Sequence, residues 1–337
     1  MIKVTFKNVG QGDSIIIEWN NQGKDGIGII DCNKKNRINP TVNYLKEKSI
    51  SNIDFILLSH FHYDHFSGMP ELFDYLYYKN ISVKFFLHTL STANILKIYD
   101  KISKSKKVEV SISKFFKSFE KLNKNYIHES NAVNSKTECI PLTETIKLQI
   151  LGPRDYIIQD FSKKINKVVE DENLTYDDIN KFGTVLCISN NSKSILLTSD
   201  AIKRSFNNLE KVIKKECILT QVPHHGSKAN INNNFWKNLK RKKNCPSVFS
   251  VGDNPKDKLP DIETVEFFDD NGYDIHSTNF VYGLKEFFDK DTYEPCINEK
   301  KISLALDAFS KQNERIETEK MVSQKYNGDQ VFVLNDF

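Results

Sequence analysis

Ser59-His60-Phe61-His62-Tyr63-Asp64-His65 runs directly into a glycine-bearing turn, Ser67-Gly68, and holds three of the chain's eight histidines. Residues 53–59 before it form an apolar run that reads as a buried strand, so the cluster sits where a strand delivers it to a loop. Along an extended segment His60 and His62 project the same way and can bind one ion, while Asp64 and His65 at the turn can reach a second. Such residues are poor core material, because buried imidazole and carboxylate groups need partners.

Two later strand ends repeat the placement. Ile195-Leu196-Leu197-Thr198-Ser199-Asp200 is an apolar strand closing on a carboxylate whose two oxygens can contact different cations. Taken alone, a strand-end Asp such as Asp200 reads more readily as the N-cap of a helix opening at Ala201. Pro223-His224-His225-Gly226-Ser227 follows the apolar strand 217–222. Each site is a weak metal signal by itself, and the three together are a strong one.

The rest of the chain alternates strands and helices. Residues 2–9, 14–19 and 27–31 read as a β-meander turning at Gly10-Gln11-Gly12-Asp13 and Gly23-Lys24-Asp25-Gly26. Helices are expected at 40–48, 70–79, 92–104, 201–214, 232–241 and 262–271, with helix plus loop over 156–181. Further strands are expected at 82–88, 108–112, 146–151, 184–189, 194–198, 247–251, 273–277, 302–308 and 330–334. The polar stretch 123–136 reads as an irregular insertion.

Composition narrows the class of protein. With 337 residues, 39% hydrophobic, 27% charged, and only 13 Gly and 9 Pro, the chain is neither collagenous, low-complexity nor wholly disordered. Its longest apolar runs fall far short of the roughly 20 residues that cross a bilayer, and its start lacks the features of a signal or transit peptide. A cytoplasmic protein with no membrane partner is expected. Six scattered cysteines without a C-x-x-C pair read as free, mostly buried thiols. The net charge of +4 does not diagnose a polyanion partner. Two local stretches bear more on that question: residues 101–125, with eight lysines against Glu109 and Glu120, and Lys237, Lys240, Arg241, Lys242 and Lys243. They read as solvated faces or as tracks for a polyanion beside the metal site.

These motifs resemble the metallo-β-lactamase superfamily, whose hallmark is H-x-H-x-D-H at a strand end. Within it, NVGQGDS (8–14), IGIIDCN (27–33), SHFHYDHFSG (59–68), LQILGP (148–153), LLTSDA (196–201) and VPHHGSK (222–228) are similar to the ComEC-type hydrolase domain of competence DNA-uptake proteins. The resemblance covers roughly residues 1–280 and implies an α/β fold, an αββα sandwich of two mixed β-sheets flanked by helices. Residues 281–337 would be a C-terminal extension packed on the same domain. The resemblance implies ligand roles for His60, His62, Asp64, His65, Asp200 and one histidine of the 224–225 pair. Adjacent residues leaving a strand project differently, and His225 is taken as the ligand with His224 facing substrate. Asp31 falls where the family has a carboxylate that orients a ligating imidazole. The sequence departs from the family at Asn8 and Ser199, which stand where Asp and Gly are usual. It also has Gly152-Pro153-Arg154 where many members carry a further ligating histidine, and neither His88 nor His128 replaces it.

The expected cofactors are two divalent cations, Zn²⁺ favoured by the imidazoles and Mn²⁺ compatible with the carboxylates. Water activated by such a pair attacks an electrophilic phosphorus or carbonyl carbon. Asp64 and His224 are the candidate catalytic groups, and Ser227 and Lys228 are candidates to bind an anionic substrate. The leading expectation is a phosphodiesterase or nuclease acting on nucleic acid or nucleotides. The rivals are a small-molecule hydrolase of lactones, amides or phosphoesters, and a metal-binding regulatory subunit of a multiprotein system.

Overall fold

Ile15-Ile16-Ile17 and Phe55-Ile56-Leu57-Leu58 are apolar on both faces of their strands, which requires both faces to be covered. The computed structural model describes residues 1–21, 23–89, 106–167, 176–291, 325–326, 328–335 and 337, and there the covering is complete. Ile15, Ile17, Phe55 and Leu57 point into a core shared with Leu186, Ile188, Ile195 and Leu197, whereas Ile16, Ile56 and Leu58 point outward under helices. Two sheets therefore face each other across one core, and helices cover their outer faces. This is the αββα sandwich expected from the sequence.

Sheet I comprises β1 (Ile2–Phe6), β2 (Ile15–Asn21), β3 (Lys24–Ile30), β4 (Asn52–Leu58), β5 (Ser82–His88), β6 (Ile127–Ala132) and β14 (Gln330–Leu334) in the order β14-β1-β2-β3-β4-β5-β6. Sheet II comprises β7 (Ile140–Pro141), β8 (Lys147–Gly152), β9 (Val185–Ser189), β10 (Lys193–Leu197), β11 (Glu216–Gln221), β12 (Cys245–Phe249) and β13 (Tyr273–Ser277) in the order β13-β12-β11-β10-β9-β8-β7. Strands β3 to β6 are mutually parallel, as are β10 to β13. Loops leaving the carboxyl ends of parallel strands are the usual place for a site, and both sheets bring such ends to one edge.

Outside sheet I lie α1 (Pro40–Glu47), the short α2 (Tyr63–Phe66), α3 (Met69–Tyr78), α4 (Lys106–Tyr126) and α5 (Asp155–Lys167). Helix α1 starts where it does because Pro40 fits the first turn and the Asn39 side chain accepts the Val42 N–H. Outside sheet II lie α6 (Asn233–Asn238), α7 (Ile262–Asp270) and α8 (Gly283–Asp291). There Trp236 is fully buried against Phe206, Phe235, Phe268 and Tyr273, and its truncation to Ala should cost about 3–5 kcal/mol.

The structure corrects several element expectations. Residues 108–112, expected as a strand, belong to α4, where Ile112, Phe115, Phe119 and Leu122 recur at helical spacing and pack on the sheet. The expected irregular insertion contains β6, whose polarity reflects its edge position: only Ile127 is buried. The expected helix at 201–214 is two short 3₁₀ turns, Lys203–Phe206 and Leu209–Lys211. Helix α8 was not anticipated. The expected helix 92–104 and strand 302–308, together with Cys296, lie outside the described residues. Cys32, Cys139, Cys187, Cys217 and Cys245 are unpaired, and burial pushes the Cys32 and Cys187 thiols up to about 12. No helix among the described residues is long and apolar enough to cross a membrane.

Candidate metal centre

Strand β4 ends at Leu58, and the next residues carry His60 and His62 into the cleft before α2 presents Asp64 and His65. Opposite them, β10 hands over to Thr198-Ser199-Asp200 and β11 to Val222 and the turn Pro223–Gly226. Two ligand-type groupings result at the cleft, His60, His62 and Asp200 in one, and Asp64, His65, Asp200 and His225 in the other, and a third, Asp13, Asp31 and His65, lies behind them. Asp200 belongs to both of the first two. Its Oδ2 lies 3.4 Å from His65 Nε2 and 3.8 Å from His60 Nε2, and its Oδ1 lies 3.3 Å from His225 Nε2. His225 Nε2 is in turn 3.5 Å from Asp64 Oδ2.

Hydrogen bonds behind these atoms settle which ring nitrogen faces the cleft. His65 Nδ1 donates to Asp31 Oδ2 at 2.7 Å, and His225 Nδ1 donates to the Ser250 carbonyl at 2.6 Å. Ser59 gives its N–H and O–H to Asp31, at 2.7 and 2.5 Å, which leaves its oxygen to accept from Ser199 Oγ at 2.7 Å and His60 Nδ1 at 3.1 Å. With these three Nδ1 atoms committed as donors, the Nε2 of a neutral His60, His65 or His225 carries a lone pair. All three Nε2 atoms, and Asp200 Oδ1, are buried without a hydrogen-bond partner. Orphaned acceptors packed this closely fit a cation: tetrahedral zinc with bonds of about 2.0–2.1 Å sets its ligand atoms roughly 3.3 Å apart. Asp31, Ser199, His224 and His225 all hold positive φ, a conformation that surrounding contacts must impose on non-glycine residues.

Charge follows the same geometry. Burial alone would raise Asp200, but His225, His224 and His65 hold it well below the usual carboxylate range. Asp64 is depressed in the same way by His65 and His225. Burial alone would lower His65 and His225, yet Asp200 and the other carboxylates raise both well above the ordinary imidazole value. His60 goes the other way, lowered by burial and by the neighbouring His65 and His62. Without a cation, therefore, His65 and His225 hold their protons more tightly than ordinary imidazoles.

His224 behaves differently from its neighbour. Its side chain is 22% exposed, its Nε2 lies 3.8 Å from Asp200 Oδ2, and Asn230 Nδ2 donates to its Nδ1 at 2.6 Å. A neutral His224 thus carries its proton on Nε2, where it faces the cleft as a donor. Asp64 is the most open carboxylate of the cluster, with a side chain 31% exposed. The Asp200 side chain caps no helix, since Ala201 and Ile202 are not helical. Ser227 is half-buried, and its backbone N–H closes the turn on the His224 carbonyl. Lys228 is not brought to the cluster: its ammonium group pairs with Glu263 at 2.7 Å on the surface. His88 and His128 belong to none of these groupings.

The stretch from Lys237 to Lys243 does not lie beside the cluster either. Cys217, at the start of β11, exchanges backbone hydrogen bonds with Lys240 and Lys242, whereas the cluster lies past the other end of that strand. Five residues of strand separate the two ends, roughly 17 Å.

Sequence reasoning missed Asp13 and Gln221. Gln221 Nε2 donates to Asp13 Oδ2 at 2.8 Å, and Asp13 Oδ2 lies 3.8 Å from His65 Nδ1. The available signal was the turn Gly10-Gln11-Gly12-Asp13, read as a connection between strands and as part of the NVGQGDS motif, with no role given to Asp13. Gly12 has φ +115°, and a Cβ there would lie 2.1 Å from the Asp64 carbonyl oxygen, so the turn is wedged against the ligand loop.

The family model of the metallo-beta-lactamase superfamily matches residues 10–90, a span that holds Asp13, Asp31 and His60 to His65 but not Asp200, His224 or His225. The chain is similar to the solved structure of the metallo-beta-lactamase fold protein YhfI from Bacillus subtilis, at 10% identity, 82% of this chain, 96% of that one and a TM-score of 0.45. It is similar to zinc-bound PqqB from Methylobacterium extorquens at 9% identity, with 82% and 97% covered and a TM-score of 0.47. A diphosphatase of the PhnP family matches at 13% identity, with 74% and 86% covered and a TM-score of 0.39. No curated protein matches the chain.

Proposed function

We propose that this protein is a metal-dependent hydrolase of the metallo-β-lactamase superfamily, acting as a phosphodiesterase on nucleic acid or nucleotides. The observation that carries the hydrolase reading is the convergence of His60, His65, Asp200 and His225 with their cleft-facing atoms buried and unpaired. His60, His62 and Asp200 would hold one divalent cation, and Asp64, His65, Asp200 and His225 a second, with zinc favoured by the imidazoles. Bound there, the cations supply Lewis acidity toward a phosphoryl or carbonyl oxygen and an activated water. Asp64, open to the cleft, accepts a hydrogen bond from the attacking water and orients it. His224 donates its Nε2 proton to a phosphoryl oxygen or to the leaving oxygen, and Asn230 keeps that proton in place. The choice of phosphodiester rests on the six-motif resemblance to ComEC-type domains. Scattered unpaired thiols suit a reducing, cytoplasmic setting.

A second reading, a small-molecule hydrolase, is favoured by two observations: Lys228 is paired with Glu263, and the Lys237 to Lys243 stretch lies at the far end of β11. A panel of phosphodiesters, phosphomonoesters, lactones and amides, assayed with zinc and with manganese, separates the two. Turnover of bis-p-nitrophenyl phosphate and of single-stranded oligonucleotides supports the first reading. Lactone or amide turnover without phosphodiester turnover overturns it.

A further inference from the structure

Behind the ligands, two buried polar contacts cross from one sheet to the other. One joins Ser199 Oγ to Ser59 Oγ and belongs to the network that orients His60 and His65. The second, Asp13 with Gln221, touches no cleft-facing atom. Gln221 Oε1 accepts the backbone N–H groups of Thr198 and Ser199, both at 3.0 Å, directly before Asp200. These backbone N–H groups can only donate, so Oε1 must face them, and Nε2 faces Asp13. Asp13 is itself stitched to the sheet I loop, its N–H donating to the Asp64 carbonyl at 3.2 Å and its carbonyl accepting from Asn33 at 3.0 Å. Asp13 and Gln221 are 1% and 2% exposed, and 208 positions separate them in sequence.

We propose that Asp13 and Gln221 are positioning residues, a buried tie that sets the separation between His65 on sheet I and Asp200 on sheet II and so tunes affinity for the cation held by Asp64, His65, Asp200 and His225. The inference rests on the metal-centre reading above and goes beyond it by assigning the spacing to a contact remote from the cleft. A cation of fixed bond length tolerates little error in ligand spacing, and losing a supporting contact of this kind weakens metal binding by about 10–100-fold. Ser59 and Ser199 cannot replace the tie, because their hydroxyls are already committed to Asp31 and to each other.

The test compares two variants of the full chain that keep its net charge. Gln221→Met removes the tie. The exchange Asp13→Asn with Gln221→Glu reverses it, the Asn amide donating to the Glu carboxylate while the other Glu oxygen still accepts from Thr198 and Ser199. Zinc affinity is read by chelator competition, and site geometry by the visible absorption of the cobalt-substituted protein. Gln221→Met should bind the zinc equivalent held by Asp64, His65, Asp200 and His225 about 10–100-fold less tightly and alter the cobalt spectrum, whereas the exchanged pair should stay within about threefold of wild type with its spectrum restored. Equal affinity in Gln221→Met and wild type would overturn the tie, as would an exchanged pair as weak as Gln221→Met. Should Gln221→Met fail to fold, the exchanged pair alone decides: affinity within about threefold of wild type supports the tie, and a loss of about 10-fold or more overturns it. If wild-type protein takes up neither zinc nor cobalt, the metal-centre reading itself fails, a result distinct from the other two.

Discussion

Sheet I supplies its side of the centre from six consecutive residues, His60 to His65, whereas sheet II supplies Asp200 and His225 from two strand ends far apart in sequence. The two sides also anchor their imidazoles differently. His65 is held by a carboxylate, Asp31, and His225 by a backbone carbonyl, that of Ser250. The sheet I anchor can therefore be removed by one substitution, while the sheet II anchor is part of the fold. Asp200 is the one ligand-type residue that both cleft groupings share. Sensitivity to mutation should follow that ranking: shared residue, then side-chain donor, then anchor, then distant surface.

The largest effect should come from Asp200→Ala, with kcat/KM on a chromogenic phosphodiester falling by at least about 10³-fold, the scale of losing a residue that acts as part of a unit. A loss no larger than that of His62→Ala would break the asymmetry between shared and unshared residues. Next comes His224→Ala, expected to lower kcat by about 10²–10⁴-fold while metal content stays at the wild-type level. His225→Ala should instead lower metal content, and the reverse pattern would exchange their roles. Asp31→Ala should weaken metal binding by about 10–100-fold, and Asp31→Asn should fall between it and wild type.

Acidity sharpens the comparison further. In the metal-free protein His65 and His225 hold their protons above the ordinary range, because Asp200 and neighbouring carboxylates outweigh the effect of burial. Their contribution to stability is complete below about pH 6.5 and is lost as pH rises through the folded-state values. A cation needs the unprotonated rings, so its stabilising effect grows with pH over the same window. Melting curves with zinc and with chelator should diverge by more degrees at pH 8 than at pH 6. The smallest effect is expected from reversing Lys240, Lys242 and Lys243 to Glu, since the cluster is roughly 17 Å away; small-substrate turnover should change by less than about twofold. A larger change would mean that this surface communicates with the cleft.

The same contrast explains what could be read from sequence. The side-chain alternation of His60 and His62, and the strand ends at Asp200 and His225, are local patterns, and they were legible. The two-sheet sandwich was legible for the same reason, through short apolar strands such as β4 and β10. Asp13, Gln221 and Asn230 were not, because their roles arise from contacts made only once the chain is folded, between residues that individually look like turn or strand filler. Residues 108–112 were misread because Val108, Val110 and Ile112 alternate like a strand over five positions, while the helical recurrence of Ile112, Phe115, Phe119 and Leu122 needs a longer window. The lysine-rich stretch after Trp236 read either as a solvated face or as a track beside the site, and charge alone says nothing about which end of β11 it occupies.

A sharing of Asp200 between two cation positions is tested most directly by a zinc titration of metal-free wild-type protein and of Asp200→Asn, read by calorimetry with elemental analysis of the loaded samples. Close to two equivalents are expected for wild type and at most one, weakly held, for the variant. One equivalent or none in wild type, or two equally tight equivalents in Asp200→Asn, would contradict that sharing.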